Sequence, residues 1–141
     1  MRIIGFNFKK ISAERKSDLK GKLQIKTHMD IEKLEKEELD IAGEILRFSF
    51  VYAINYDPDH AVIAFEGNVL IKPDKDYDVK KLLKEWKKKK LPEEVRLLVF
   101  NFVMTKCNLR ALQLEDEFSL PSHIPLPRIS KEQAGNASYT G

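Results

Sequence analysis

The first half of the chain alternates hydrophobic and polar residues with a period of two, a pattern that predicts β-strands. The alternation covers residues 2–13, 23–31, 41–56 and 61–71. Turn residues at 57–59 (Asp-Pro-Asp) separate the last two segments, so we expect these segments to form a long hairpin. In the first segment the pattern assigns Ile4, Phe6 and Phe8 to one face. The charged run Lys33–Asp40 is expected to be a loop or a ragged strand end.

The second half of the chain changes to helical spacing. Asp78 can cap a short helix whose apolar stripe contains Val79, Leu82, Leu83 and Trp86. A long helix is predicted from Pro92 to about Glu117. Proline suits the first helical position, and the two glutamates that follow it place negative charge at the positive end of the helix dipole.

The long helix carries apolar residues on two sides, and a helix of this kind must be buried on more than one face. One stripe contains Val95, Leu98, Phe102 and Leu109. In so short a chain the folding core covers one face, so we expect a second subunit to cover the other. The candidate residues for this interface are Leu97, Phe100, Met104, Cys107 and Ala111.

The segment after the long helix, residues 118–129, contains three prolines and must therefore be extended. Its apolar residues are expected to be anchored to the body of the protein: Leu120, Ile124, Leu126 and Ile129. Residues 1–130 are interpreted as a single domain, and residues 131–141 as a flexible tail of small and polar residues. Strands followed by helices predict an α+β fold, in which a four-stranded antiparallel sheet carries two helices on one face.

The composition favours a soluble, cytoplasmic protein. The net charge of +3 is the balance of 25 basic and 22 acidic residues, which is weak evidence for a polyanionic partner. A single cysteine suits a reducing compartment. There is no signal peptide pattern and no apolar run of about 18 residues, so no membrane partner is expected. Abundant lysine and glutamate are associated with thermophilic proteins.

The sequence gives little support for catalysis, and we expect no enzyme activity, no cofactor and no metal. His28, His60 and His123 lie on different predicted elements and lack the spacing of a metal site. Cys107 could act as a nucleophile only beside a histidine, and in an apolar helix it is better explained as a core residue. No phosphate-binding glycine loop or nucleophile elbow is present.

Two features indicate binding rather than catalysis. The basic run Lys80–Lys90 contains one aromatic residue and could contact nucleic-acid phosphates, although a solvated helix face explains it more simply. The second feature is a set of aromatic residues that either form the core or line an apolar groove for extended or unfolded peptide. This set contains Phe6, Phe8, Phe48, Phe50, Tyr52, Phe65 and Trp86.

The order of elements resembles the SecB family of export chaperones over roughly residues 2–129. The run Phe8–Glu14 (FKKISAE) is similar to the family's first-strand segment, and the run Phe118–Pro127 (FSLPSHIPLP) is similar in placement to the family's proline-containing segment after its first long helix. The resemblance implies a four-stranded antiparallel sheet, a tetramer with helices between two outer sheets, and ATP-independent holding of unfolded chains in apolar grooves.

The chain also departs from the export members of that family. It is net basic, its tail has no cysteine for a zinc site, and no second long helix follows Pro121. A SecB-like protein outside the bacterial export pathway, archaeal or linked to a toxin–antitoxin system, is the expected form. We therefore expect an oligomeric holdase, a dimer or tetramer, with a nucleic-acid-associated protein as the alternative. The proline-rich segment adds two peptide-binding candidates to the aromatic set, Leu120 and Ile124.

Overall fold

The computed structural model describes residues 1–131 and confirms the predicted α+β fold. Six elements follow one another along the chain, four strands and then two helices. They are β1 (Arg2–Arg15), β2 (Gln24–Leu39), β3 (Gly43–Asp57), β4 (Ala61–Lys72), α1 (Val79–Trp86) and α2 (Glu93–Glu117). The tail predicted for residues 131–141 lies outside the described residues, except for Lys131.

The four strands form one antiparallel sheet in the order β1-β4-β3-β2. β3 and β4 form the predicted hairpin, which pairs Tyr56 with Ala61 beside the turn and Leu46 with Ile71 at the far end. The hairpin occupies the centre of the sheet, so its inward side chains form most of the core. The long strands β1 and β2 are the two edges.

Three register shifts interrupt the strands, two in β1 and one in β2, and the sequence pattern did not predict them. The run Lys33–Asp40 is not a loop, because β2 continues to Leu39 after a bulge between Ile31 and Lys33. This extra residue returns Leu34 to the core face, where it is buried.

In β1, a register shift between Ile3 and Gly5 turns Ile4 outward, and Ile3 packs against the core with Phe6 and Phe8. Grouping Ile4 with Phe6 and Phe8 was therefore wrong. A period of two predicts faces correctly only while the strand has no inserted residue.

Both helices lie on the same face of the sheet. α1 begins at the predicted cap, where the Asp78 carboxylate accepts the backbone N–H of Lys81 at 3.0 Å. α2 lies over β4, and its sides reach the neighbouring strands. The Phe102 ring is 5.6 Å from that of Phe6 on β1, and Asn108 is bonded to Tyr52 on β3.

The buried stripe of α2 differs from either predicted stripe. It repeats every four residues and consists mostly of small side chains, which allow the helix to approach the sheet closely. Its members are Val95, Val99, Val103, Cys107 and Ala111. Leu109, predicted to share a stripe with Val95, is instead 62% exposed.

Candidate polypeptide-binding surface

A buried polar network attaches the proline-rich segment (residues 118–129) to α2. The His123 ring places Nδ1 2.9 Å from Glu115 Oε1 and Nε2 2.8 Å from Asn108 Oδ1. The backbone N–H of His123 donates to Glu115 Oε2 at 2.9 Å. The side chains of His123 and Glu115 are only 1% and 2% exposed. Both ring nitrogens of His123 therefore lie within hydrogen-bond distance of side-chain oxygens of α2.

Two tyrosines of β3 complete this network from the sheet. The Tyr52 hydroxyl donates to Asn108 Oδ1 at 2.8 Å. The Tyr56 hydroxyl donates to Glu115 Oε2 and also contacts the carbonyl oxygen of Pro121 at 2.8 Å. Sheet, helix and extended segment are therefore held together by hydrogen bonds from all three.

The start of the proline-rich segment is fixed separately. The Arg15 guanidinium, at the end of β1, donates to the carbonyl oxygens of Phe118 and Ser119 at 2.8 and 3.0 Å. Phe118 is the C-cap of α2 and Ser119 is the next residue, so Arg15 ties the end of β1 to the point where the chain leaves the helix. Leu120 is buried as predicted, whereas Leu126 and Ile129 are 52% and 57% exposed and are not anchored.

The proline-rich segment covers only half of one side of α2. Leu97, Met104, Asn108 and Glu115 are separated by seven, four and seven residues, so they lie on the same side of the helix. His123 covers that side at Asn108 and Glu115. Toward the N-terminus the same side is open: Leu97 is 49% and Met104 40% exposed. We call Leu97, Phe100 and Met104 the open strip of α2.

A cleft of about 380 Å³ adjoins the open strip at Phe100. Its apolar lining is Ile31 of β2, Trp86 at the end of α1, Leu91 and Phe100. The Lys89 ammonium lies 4.6 Å from the centre of the Trp86 ring. We call this space the Trp86 cleft. Together the strip and the cleft form an apolar surface flanked by α1 and β2.

The predicted peptide-binding residues divide into two groups. Phe48, Phe50, Tyr52 and Phe65 are buried beneath the helices, so within this chain they are core residues. Phe6, Phe8, Trp86 and Ile124 remain partly exposed, and Leu120 is buried. Of the exposed group, only Trp86 adjoins the open strip through the cleft. Phe6 and Phe8 lie on β1, on the other side of α2.

The residues predicted to form the subunit interface also fall into two groups, buried and accessible. Cys107 and Ala111 are fully buried within the chain, so they cannot reach a second copy as the structure stands. Leu97 and Met104 are accessible, and Phe100 is partly so. An interface through these accessible residues stays a prediction.

Burial favours the neutral forms of Tyr52, Tyr56 and Cys107. Burial raises the pKa of Tyr52 to about 12, with smaller contributions from Cys107 and Glu115. Burial and then the hydrogen bond to Glu115 raise the pKa of Tyr56. Burial also raises the pKa of the Cys107 thiol to about 12. A nucleophilic cysteine needs its thiolate, so Cys107 at neutral pH is a core residue.

These shifts predict a loss of stability at alkaline pH. In the unfolded chain Cys107 and Tyr52 release protons near their ordinary values of 9.0 and 10.0, whereas in the folded chain both pKa values are about 12. The stabilisation is complete below about pH 9 and is lost as pH rises toward about 12. Urea unfolding measured from about pH 8 to about pH 11 should show this decline. Tyr52→Phe should decline less above pH 10, and identical profiles for the two proteins would refute the assignment.

Residues 1–131 contain no cluster of three or more histidine, cysteine, aspartate or glutamate side chains that could hold a metal ion. The histidines are separate: His28 is exposed on β2, the His60 ring is 2.7 Å from the Ser17 hydroxyl, and His123 belongs to the buried network. None of the helices in this part of the chain is long and apolar enough to span a membrane.

The fold is similar to that of a solved chaperone. The chain aligns with the SecB-like chaperone Rv1957 of Mycobacterium tuberculosis, in a complex with a ChAD peptide from the HigA1 antitoxin, at a TM-score of 0.54. The alignment covers 92% of this chain and 91% of that chain at 15% sequence identity. At this identity the likeness concerns the fold. No protein-family model matches the chain, and no curated protein matches it.

The buried network was not predicted from the sequence, although two signals were present. Tyr52 and Tyr56 both point to the core face of β3, and buried tyrosine hydroxyls require partners. Asn108 and Glu115 stand seven residues apart and therefore lie on the same side of α2. His123 could not be assigned as their partner from the sequence, because an extended segment has no periodicity that predicts which way its side chains point.

Proposed function

We propose that the protein is an ATP-independent, SecB-like chaperone that holds non-native polypeptide in an extended form. The observation that carries this proposal is the arrangement on one side of α2. The C-terminal half of that side binds the chain's own extended segment, and the N-terminal half is apolar and open. A client segment that lies along the open strip and enters the Trp86 cleft would continue the same mode of packing.

The physical driving force is burial of apolar surface. Removing apolar area from water contributes about 25 cal/mol per Å² to the free energy of binding. The entropic cost of ordering the client reduces this gain. Methionine and aromatic side chains adapt to clients of different sequence, as a holdase requires. The similarity to the M. tuberculosis chaperone supports the proposal, because that protein is bound to a peptide in its solved structure.

A homo-oligomer is part of the proposal. The side of α2 that points away from the sheet carries Leu109 and Leu112, and Leu109 is the more exposed of the two. We propose this outward side for contact with a second copy, in place of the interface predicted from the sequence. The predicted interface residues are either buried, as are Cys107 and Ala111, or belong to the open strip. The open strip then remains accessible to clients.

The test is suppression of aggregation of a chemically denatured client enzyme, followed by light scattering without nucleotide. The wild-type protein at several-fold molar excess should suppress most of the scattering. The variant Leu97→Asp/Met104→Asp should lose most of this effect, because charge on the open strip opposes apolar burial. Ile41→Asp is the matched control, since Ile41 is fully exposed in the β2–β3 turn. Absence of suppression by the wild-type protein would refute the proposal.

A further inference from the structure

The Trp86 cleft combines an apolar floor with a cationic rim. Lys89, Lys90 and Arg96 line the cleft, and Asp30 is its one acidic lining residue. The Asp30 carboxylate accepts the adjacent Ile31 backbone N–H at 2.9 Å, which occupies one of its oxygens. The lining thus has an excess of positive charge beside an aromatic surface.

The backbone holds these cations at the opening of the cleft. Lys89 adopts a left-handed conformation with φ of 60°, which a residue other than glycine rarely does. Its ammonium is placed over Trp86 and 3.4 Å from the Glu32 carbonyl oxygen of β2. The Lys90 backbone N–H donates to the Glu85 carbonyl oxygen at 3.2 Å. The loop after α1 is therefore folded back against the cleft.

The positive charge of the rim is not neutralised within the described chain. Among residues 1–131, neither Lys90 nor Arg96 lies within 4.0 Å of a carboxylate oxygen. The neighbouring cleft at Tyr77 and Leu97 has the opposite character, because Glu93 and Glu94 line it. The two apolar clefts therefore differ in charge.

We infer that the Trp86 cleft selects segments of non-native polypeptide in which an aromatic or aliphatic residue is flanked by acidic side chains. The apolar residue would lie on Trp86, Ile31 and Phe100, and the acidic neighbours would pair with Lys90 and Arg96. This inference rests on the proposed function and names the class of segment that is bound. Charge complementarity adds selectivity to contacts that are otherwise non-directional.

The only tryptophan of the 141-residue chain lies in this cleft, so its fluorescence reports occupancy directly. Three blocked peptides without tryptophan or tyrosine would share one apolar centre and differ in their flanks, which are aspartate, asparagine or lysine. At low salt the aspartate-flanked peptide should bind about tenfold more tightly than the lysine-flanked peptide. The ratio should approach one at about 1 M salt, where the Debye length is about 3 Å.

Two double variants separate the rim charge from general effects. Lys90→Gln/Arg96→Gln should abolish the preference for aspartate while the asparagine-flanked peptide still binds. Lys9→Gln/Lys10→Gln removes two exposed lysines from β1, the opposite edge of the sheet, and should leave the preference unchanged. Equal binding of the three peptides to the wild-type protein, or loss of the preference in the β1 control, would overturn the inference.

Three further outcomes distinguish the inference from its alternatives. If a single-stranded oligonucleotide displaces the aspartate-flanked peptide and binds more tightly, the cleft is a nucleic-acid site and the inference is wrong. If aggregation is suppressed but the peptides show no charge preference, the inference fails and the proposed function stands. If neither suppression nor peptide binding is found, the proposed function itself fails.

Discussion

Replacing Glu115 with alanine is expected to lower the free energy of unfolding by about 4 kcal/mol, because each buried donor that loses its partner costs about 1–3 kcal/mol. The substitution leaves the His123 ring, the His123 backbone N–H and the Tyr56 hydroxyl without the acceptor that they share. Chemical denaturation measures the loss. Total stabilities of about 5–15 kcal/mol mean that the variant can remain folded.

A control and a local readout make this prediction specific. Glu117→Ala, two residues along at an exposed position, should change the free energy of unfolding by less than about 0.5 kcal/mol. Hydrogen exchange of the His123 backbone N–H should accelerate in Glu115→Ala and stay slow in the control. A loss below about 1 kcal/mol with slow exchange would show that the network does not hold the proline-rich segment.

Replacing Gly67 with alanine is expected to lower the free energy of unfolding by about 3 kcal/mol. Gly67 lies in β4 between Phe8 on β1 and Phe50 on β3. An added Cβ would contact the Asn7 carbonyl oxygen too closely and lie 2.8 Å from Cζ of Phe50. The Phe50 ring is stacked on Phe6, so neither ring can move freely.

Gly5→Ala is the matched control on the neighbouring strand. Its Cβ would meet the end of the Leu70 side chain at 3.1 Å, and that end can rotate away. We expect a change of less than about 1 kcal/mol. Thermal and urea denaturation of both variants measure the difference, and equal losses would mean that close packing at Gly67 is not the cause.

The order and type of all six elements could be predicted from the sequence because each depends on local periodicity. The hairpin from β3 to β4 is the clearest case, since alternation and the turn residues agree. The bulges near Ile4 and Glu32 could not be predicted, because an inserted residue leaves the composition of the strand unchanged. The shift in β1 reversed the face assigned to Ile4, and the shift in β2 lies just before residues that were predicted to form a loop or a ragged strand end.

The surface proposed to bind clients was only partly predictable, because a helix that is apolar all round does not reveal which side the sheet covers. In the structure the small side chains of Val99, Val103 and Ala111 are buried. Leu97 and Met104 remain exposed to solvent. Trp86 belongs to the aromatic set predicted to form the core or to line a groove, and in the structure it is partly buried and lines a cleft. The sequence favoured a solvated helix face for the basic run that contains Lys89 and Lys90. These two lysines lie in the loop after α1, and no sequence pattern predicts that this loop folds back against the cleft.

The most direct test of the account is the mass in solution, by size-exclusion chromatography with light scattering, of the protein alone and mixed with a reduced, carboxymethylated polypeptide that cannot refold. We expect the protein alone to have the mass of two or more 16.4 kDa chains. We also expect the unfolded polypeptide to elute with the protein as a complex whose mass is the sum of the two. The native form of the same polypeptide should elute separately. Separate elution of the unfolded form would contradict the central claim.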